Sequence, residues 1–188
     1  MAVLEKRLEE ESTGWSTANI IALVASLVII AAIGGYLLHS SQTPGAASTD
    51  VGFARDMSEH HRQAVEMSRL LYDRTDDETM RSIAYDIMLT QQGQIGIMTG
   101  YLNAWGHPIT DLGPRMQWMG MSVDGLMPGM ATREELNRLV AAEGQEAEII
   151  FLRLMIPHHV GGVEMAQAAA EDAQTAIVRN LARSMAQG

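Results

Sequence analysis

The sequence predicts an all-α protein: a helical bundle with an internal two-fold repeat of a helix pair, preceded by one N-terminal transmembrane helix. Residues 57–67 and residues 155–165 both carry the pattern Met-x-x-His-His-x-x-(Ala/Gly)-Val-x-Met. This repeat unit is about one helix pair long, which suits a two-fold bundle better than a solenoid. Residues 20–38 carry no charge, and strand-like alternation is weak throughout the chain.

The apolar run is long enough to cross the hydrocarbon core of a bilayer. Trp15 and Tyr36 bracket it like the aromatic belt of a membrane-spanning helix. We therefore expect residues 15–39 to be a transmembrane anchor. A cleaved signal peptide ending near the small residues 45–47 is the alternative, but the apolar run is long for that role.

The basic residues predict the orientation of this anchor. Lys6 and Arg7 precede the span, and no basic residue follows it before Arg55. The positive-inside rule then places residues 1–14 in the cytoplasm and the C-terminal domain outside the cell membrane, in the periplasm or its equivalent.

Residues 40–49 are polar and small, and we expect a flexible linker there. Residues 50–188 are enough for one extracytoplasmic domain with its own core. The 188-residue chain has a formal net charge of −10 and no cysteine. Acidity argues against nucleic acid as a partner, and the lack of thiols leaves methionine as the only soft metal ligand.

Helix signals divide the domain into hairpins. Asp50 is the expected N-cap of a first helix to residue 73, and the capping-box spacing of Thr75 and Glu78 predicts a second helix to about residue 104. A long ordered loop should follow at residues 105–131. The later elements are a short helix opened by a Thr132–Glu135 capping box, a motif helix at residues 145–172 kinked by Pro157, and a last helix at residues 175–187.

Helical periodicity places both histidine pairs on inward faces. The inward residues include Phe53, Met57, His60, His61, Ala64, Met67, Ser68 and Leu71 in the first copy, and Phe151, Met155, His158, His159, Gly162, Met165 and Ala169 in the second. A single inward histidine is most often a buried core residue. Two equivalent pairs favour metal binding, because four buried imidazoles need compensation.

The predicted metal ligands are His60, His61, His158 and His159 with the motif methionines Met57, Met67, Met155 and Met165. Thioether and imidazole donors without thiolate favour Cu(I) or Ag(I). Zinc bound by imidazoles alone stays open. A di-iron centre is disfavoured, because Glu66 and Glu164 are predicted to face outward.

Five of the fourteen methionines crowd into the long loop. They are Met116, Met119, Met121, Met127 and Met130. Two interpretations stay open: a hydrophobic plug over one end of the bundle, or a secondary soft-metal site along a route by which metal reaches the core.

Several motifs in order resemble the bacterial family called domain of unknown function 305. They are the two Met-x-x-His-His copies, Tyr101-Leu-x-x-Trp-Gly106, Met127-Pro-Gly-Met130 and Phe151-Leu-x-x-Met-Ile-Pro-His-His159. The resemblance implies a ferritin-like helical bundle, often exported, with some members similar to periplasmic copper proteins of the CopM type. It also implies that the motif histidines and methionines named above are the ligands. The second half departs by lacking a counterpart of residues 91–104.

The leading functional hypothesis is a membrane-anchored extracytoplasmic protein that sequesters or delivers Cu(I). Its rival is a structural accessory subunit of a membrane complex, possibly respiratory, in which the His/Met faces only pack. No nucleophile with an adjacent base, phosphate loop or dinucleotide motif occurs, so we expect no enzyme, with copper-dependent redox activity as the minor alternative. We expect the two motif helices to lie side by side and to share one site.

Overall fold

The computed structural model describes residues 15–187, so the predicted cytoplasmic segment 1–14 lies outside the described residues. Within that range the chain forms six α-helices and no β-strand, only an isolated bridge between Arg115 and Val123. The helices are α1 (Thr17–Gln42), α2 (Thr49–Tyr72), α3 (Glu78–Ala104), α4 (Arg133–Ala141), α5 (Gly144–Asp172) and α6 (Ala176–Gln187). The predicted all-α fold class is confirmed.

Helix α1 belongs to a compact unit of its own, which ends at Thr43. Its stretch Thr17–Tyr36 has a mean hydropathy of 2.4 and none of it is buried. Ser16 caps the helix by accepting a hydrogen bond from the backbone N–H of Asn19. By length and composition α1 is able to cross a membrane.

The structure differs from the predicted linker 40–49 at both ends of that segment. Helix α1 continues to Gln42, and the second compact unit already begins at Pro44. Pro44 is buried, and its carbonyl oxygen lies 2.8 Å from Nε2 of His107. The hydrogen bond between His107 and the Pro44 carbonyl oxygen therefore ties this end of the segment to the domain.

The domain consists of two helical hairpins, α2 with α3 and α5 with α6, joined by contact between α2 and α5. The duplication extends to individual hydrogen bonds. The guanidinium of Arg81 donates to the carbonyl oxygen of Thr75, and that of Arg179, at the matching position, donates to the carbonyl oxygen of Ala173 at 2.7 Å. Each arginine thus closes the turn of its own hairpin.

Two N-cap residues were predicted wrongly, each by two residues along the chain. Ser48, not Asp50, caps α2, and Asp50 instead accepts bonds from the start of α6: from the backbone N–H of Gln174 at 2.7 Å and of Thr175 at 2.9 Å. A carboxylate fits this role because the first N–H groups of a helix lack intrahelical partners.

The second wrong cap opens α3. Asp77 caps that helix by accepting from the backbone N–H of Met80, whereas Thr75 is buried and donates to Glu148 of α5 at 2.5 Å. Its contact with α5 draws Thr75 away from the helix terminus. The Thr132–Glu135 capping box of α4 is confirmed.

Candidate metal centre

A cavity of about 410 Å³ lies where helices α2, α3, α5 and α6 meet. Both histidine pairs line it, together with Met57 of α2, Gln91 and Gln94 of α3, Gly162 of α5 and Met185 of α6. His60 and His158 occupy matching positions of the duplication, 98 residues apart. The cavity therefore lies between equivalent residues of the two halves.

The two motif helices pack side by side, as the duplication predicted. The imidazole rings of His60 and His158 have their centroids 3.7 Å apart and are tilted by 35°. Nε2 of His158 lies 3.1 Å from the carbonyl oxygen of His60. Both side chains are buried, each with 1% of its surface exposed.

These hydrogen bonds fix the proton on each ring. A carbonyl oxygen only accepts, so Nε2 of His158 is a donor, and so is Nε2 of His60, which lies 3.2 Å from the carbonyl oxygen of Pro128. In each neutral ring Nδ1 then carries the lone pair. Donation from the second nitrogen to a backbone carbonyl is how proteins usually orient metal-binding histidines.

His61 shows the clearest open donor. Its Nε2 lies 2.6 Å from Oε1 of Gln94, and its Nδ1 is buried with no hydrogen-bond partner. Oε1 of Gln91, which lines the same cavity, is also buried and unpartnered. Buried polar atoms in proteins are nearly always satisfied, so these two atoms are available as acceptors for a ligand of the cavity that both residues line.

His159 departs from the prediction, because its side chain is exposed rather than inward. Its Nδ1 donates to the carbonyl oxygen of Met155 at 3.0 Å, which leaves the lone pair on Nε2. The first half covers His61 with Gln94 of the long helix α3. Helix α6 has 12 residues against 27 in α3 and offers His159 no equivalent cover.

Burial keeps the inner histidines neutral. It lowers the pKa of His60 to about 4, against an opposing hydrogen bond to Pro128, and that of His61 to about 4, against an opposing bond to Gln94. Burial and then the neighbouring His60 lower the pKa of His158 to about 2. Neutral imidazole is the form that binds a metal ion.

A turn of the long loop is fitted closely against α5 beside this centre. Gly129 has φ of +77°, and a Cβ there would lie 2.2 Å from the carbonyl oxygen of Pro157. A Cβ on Gly161 would lie 2.2 Å from the carbonyl oxygen of Pro128. Only glycine fits at both places, and this fit presents the Pro128 carbonyl to His60. Pro157 lies inside α5, as predicted.

Of the four motif methionines, the structure brings only Met57 to the cavity. Met67 and Met165 are fully buried in two separate hydrophobic clusters, and Met155 lines a neighbouring groove instead. A role for those three as metal ligands stays a prediction that this placement does not favour, because core packing accounts for their periodicity. Sequence reasoning missed Met185, whose position matches Ile87 of the first half.

The loop methionines mostly behave as a plug. Met116 and Met127 are buried, and Met119 and Met130 pack against the same hydrophobic cluster. Met121 is 42% exposed. Packing alone accounts for the first four, so a secondary metal site stays a prediction that this geometry does not favour.

The donor set fits a soft metal better than a hard one. Within residues 15–187 no group of three or more His, Asp or Glu side chains is placed to hold a metal ion. A zinc site made of imidazoles alone is therefore not preformed. Met57 and Met185 line the cavity together with the motif histidines, and this combination of thioether and imidazole side chains suits Cu(I) or Ag(I).

The fold and centre define a class: duplicated helical bundles with a histidine-lined cavity between their halves. The chain belongs to the family described as domain of unknown function DUF305, whose model matches residues 50–188. A search of curated proteins finds no match.

Solved structures share this fold. A DUF305 protein from Streptomyces coelicolor, described as a proposed secreted protein, is 49% identical with a TM-score of 0.73, over 76% of this chain and 86% of that one. A DUF305 fragment from Deinococcus radiodurans is 34% identical with a TM-score of 0.62, over 74% and 86%. CopM, solved with bound Cu(I), is 23% identical with a TM-score of 0.54, over 73% and 85%.

Proposed function

We propose that this protein binds Cu(I) in the cavity between its two halves and sequesters it or hands it on outside the cell membrane. The unpartnered Nδ1 of buried His61, a residue that lines the cavity together with the other motif histidines, carries the proposal. We assign the imidazoles of His60, His61, His158 and His159 and the sulfurs of Met57 and Met185 as the donor set. We propose binding rather than catalysis.

The related structures support this choice of metal. CopM has been solved with Cu(I), with Cu(II) and with silver. Silver is a mimic of Cu(I) that prefers the same soft donors. The donors of this chain, thioether and imidazole without thiolate, favour the same metals.

The uneven burial of the histidines supports exchange of the metal. His60, His61 and His158 are buried, whereas His159 is exposed and has its Nε2 lone pair free. An exposed donor at the edge of the centre lets an incoming or departing ion keep one ligand while it changes the others. This arrangement suits delivery as well as storage.

Titration of the full chain in detergent with Cu(I), against a chromogenic Cu(I) chelator, tests the proposal. Wild type should compete with the chelator, and the variant with all four motif histidines changed to Ala should not. His107→Ala is the matched control, because His107 bonds to Pro44 away from the cavity. Absence of binding by folded wild type, or unchanged binding by the quadruple variant, would refute the proposal.

The membrane anchor is the second part of the proposal, supported by the length and apolar composition of α1. The cysteine-free chain allows single-cysteine labelling in intact cells. A cysteine replacing the fully exposed Leu112 should react with a membrane-impermeant maleimide, and one replacing Ser12 should not. The reverse pattern would place the domain in the cytoplasm.

A further inference from the structure

One face of α5 is apolar and exposed, although the equivalent face of α2 is buried. The matching positions are Val51 and Ile149, Ala54 and Leu152, and Ser58 and Ile156. The three α2 residues are at most 1% exposed, whereas Ile149, Leu152 and Ile156 are 44%, 39% and 63% exposed. At two of the three positions the second half has a large apolar residue where the first has a small or polar one: Leu152 against Ala54 and Ile156 against Ser58.

The first half shows what kind of element covers such a face. Met98 and Leu102, in the C-terminal part of α3, join Val51 and Ala54 in one hydrophobic cluster. Part of this cover is thus the antiparallel helix α3, and loop residues such as Met116 belong to the same cluster. Within the described residues α6 spans Ala176–Gln187, and the corresponding part of α5 is exposed.

Two charged residues beside the exposed face are placed so that two antiparallel copies of α5 would pair opposite charges. Val160, 56% exposed, continues the apolar stripe. Arg153 and Glu164 lie about three turns apart along one edge of it, and both are exposed. Neither forms an ion pair with any residue from 15 to 187. Antiparallel pairing of two identical helices brings each arginine beside the other's glutamate.

We propose that α5 packs antiparallel against α5 of a second copy of this chain, giving a two-fold symmetric dimer. Ile149, Leu152, Ile156 and Val160 form the apolar seam, and the two Arg153–Glu164 pairs fix its register. The same patch serves both copies, as a two-fold interface requires.

The mass of the full chain in detergent, by sedimentation equilibrium, tests the proposal. We expect two chains per particle for wild type. Ile156→Glu should raise the dimer dissociation constant at least tenfold, because it places charge in the seam. Leu89→Glu is the matched control: Leu89 is 53% exposed on α3, outside the seam, and its variant should remain dimeric.

Exchanging the charges of Arg153 and Glu164 tests whether this pair fixes the register of the dimer or whether any change of charge weakens it. Arg153→Glu and Glu164→Arg should each weaken the dimer, and the double variant should restore it, because the exchanged charges meet again across the axis. Since the chain has no cysteine, Val160→Cys should cross-link two copies and Leu89→Cys should not. A monomeric wild type, an Ile156→Glu variant as dimeric as wild type, or stoichiometric capture of a different protein on this face would overturn the dimer without bearing on copper titration.

Discussion

His158 donates from Nε2 to the carbonyl oxygen of His60 across 3.1 Å, so the second motif helix is oriented by the backbone of the first. This bond connects residues at equivalent positions of the duplication and leaves Nδ1 of His158 as the acceptor. The halves are thereby coupled at the centre that we propose for the metal.

Gln94→Leu should weaken Cu(I) binding roughly 10- to 100-fold, the usual cost of losing a residue that orients a metal-binding histidine. Gln94 accepts from Nε2 of His61 and fixes its ring. Gln92→Leu, at an exposed position of α3, should bind as wild type does. Competition titration measures both, and equal affinities would exclude the orienting role.

Gly129→Ala should lower the free energy of unfolding by roughly 2 to 4 kcal/mol. A side chain there meets the carbonyl oxygen of Pro157 and requires a positive φ. Gly125 has no atom within 4 Å of a built Cβ, so Gly125→Ala should leave stability almost unchanged. Urea denaturation of residues 44–188 gives both values; similar losses in the two variants would contradict the close fit of the turn.

Asp50→Ala should cost roughly 2 to 4 kcal/mol, because it leaves two backbone N–H groups and one hydroxyl at the start of α6 without their acceptor. The exposed Asp76→Ala is the control. Thermal unfolding followed by circular dichroism should show a lower Tm for the first variant alone. The rate of backbone amide hydrogen exchange should rise first in α6. A uniform rise throughout the domain would contradict a specific role of Asp50 at the start of that helix.

Acid should destabilise the metal-free domain. The pKa values of His60 and His61 are lowered from 6.5 to about 4, so the unfolded chain binds protons that the folded domain excludes. Their stabilising contribution is complete above pH 6.5 and is lost as the pH falls toward 4, by roughly 2 kcal/mol for each histidine between pH 7.5 and 5.

One carboxyl group opposes this effect. The pKa of buried Asp56 is raised by desolvation, which favours the folded state as the pH falls. The histidines act at higher pH, so urea denaturation at pH 7.5 and at pH 5 should show the loss. Equal stability at the two values would contradict neutral burial.

Much of the fold could be predicted, because the internal repeat and the helical periodicity of apolar residues are visible in short stretches of sequence. The inward face of α2 was predicted correctly from the spacing of Phe53, Met57 and His60, all of which are buried. Helix caps were less certain: Asp50 has the right chemistry for an N-cap, but its partners lie in α6, far along the chain. Such pairings depend on the tertiary structure and leave no local signal.

The site was only partly predictable for the same reason. Periodicity cannot distinguish a methionine of the hydrophobic core from one that lines the cavity, so Met67 and Met165 looked like Met57. His159 looked buried because its sequence matches His61, whereas burial depends on the helix that covers it. Gln91 and Gln94 did leave a signal, as two amides one turn apart in a helix with apolar neighbours.

Cu(I) stoichiometry in variants of one half tests the central claim, a single centre shared by both halves, most directly. Folded full-length chain should bind one Cu(I) with high affinity. Both His60→Ala/His61→Ala and His158→Ala/His159→Ala should lose that binding entirely, since each removes donors from the same centre. The contradicting result is a wild type that binds two Cu(I) and a double variant that still binds one with full affinity. It would show two independent sites.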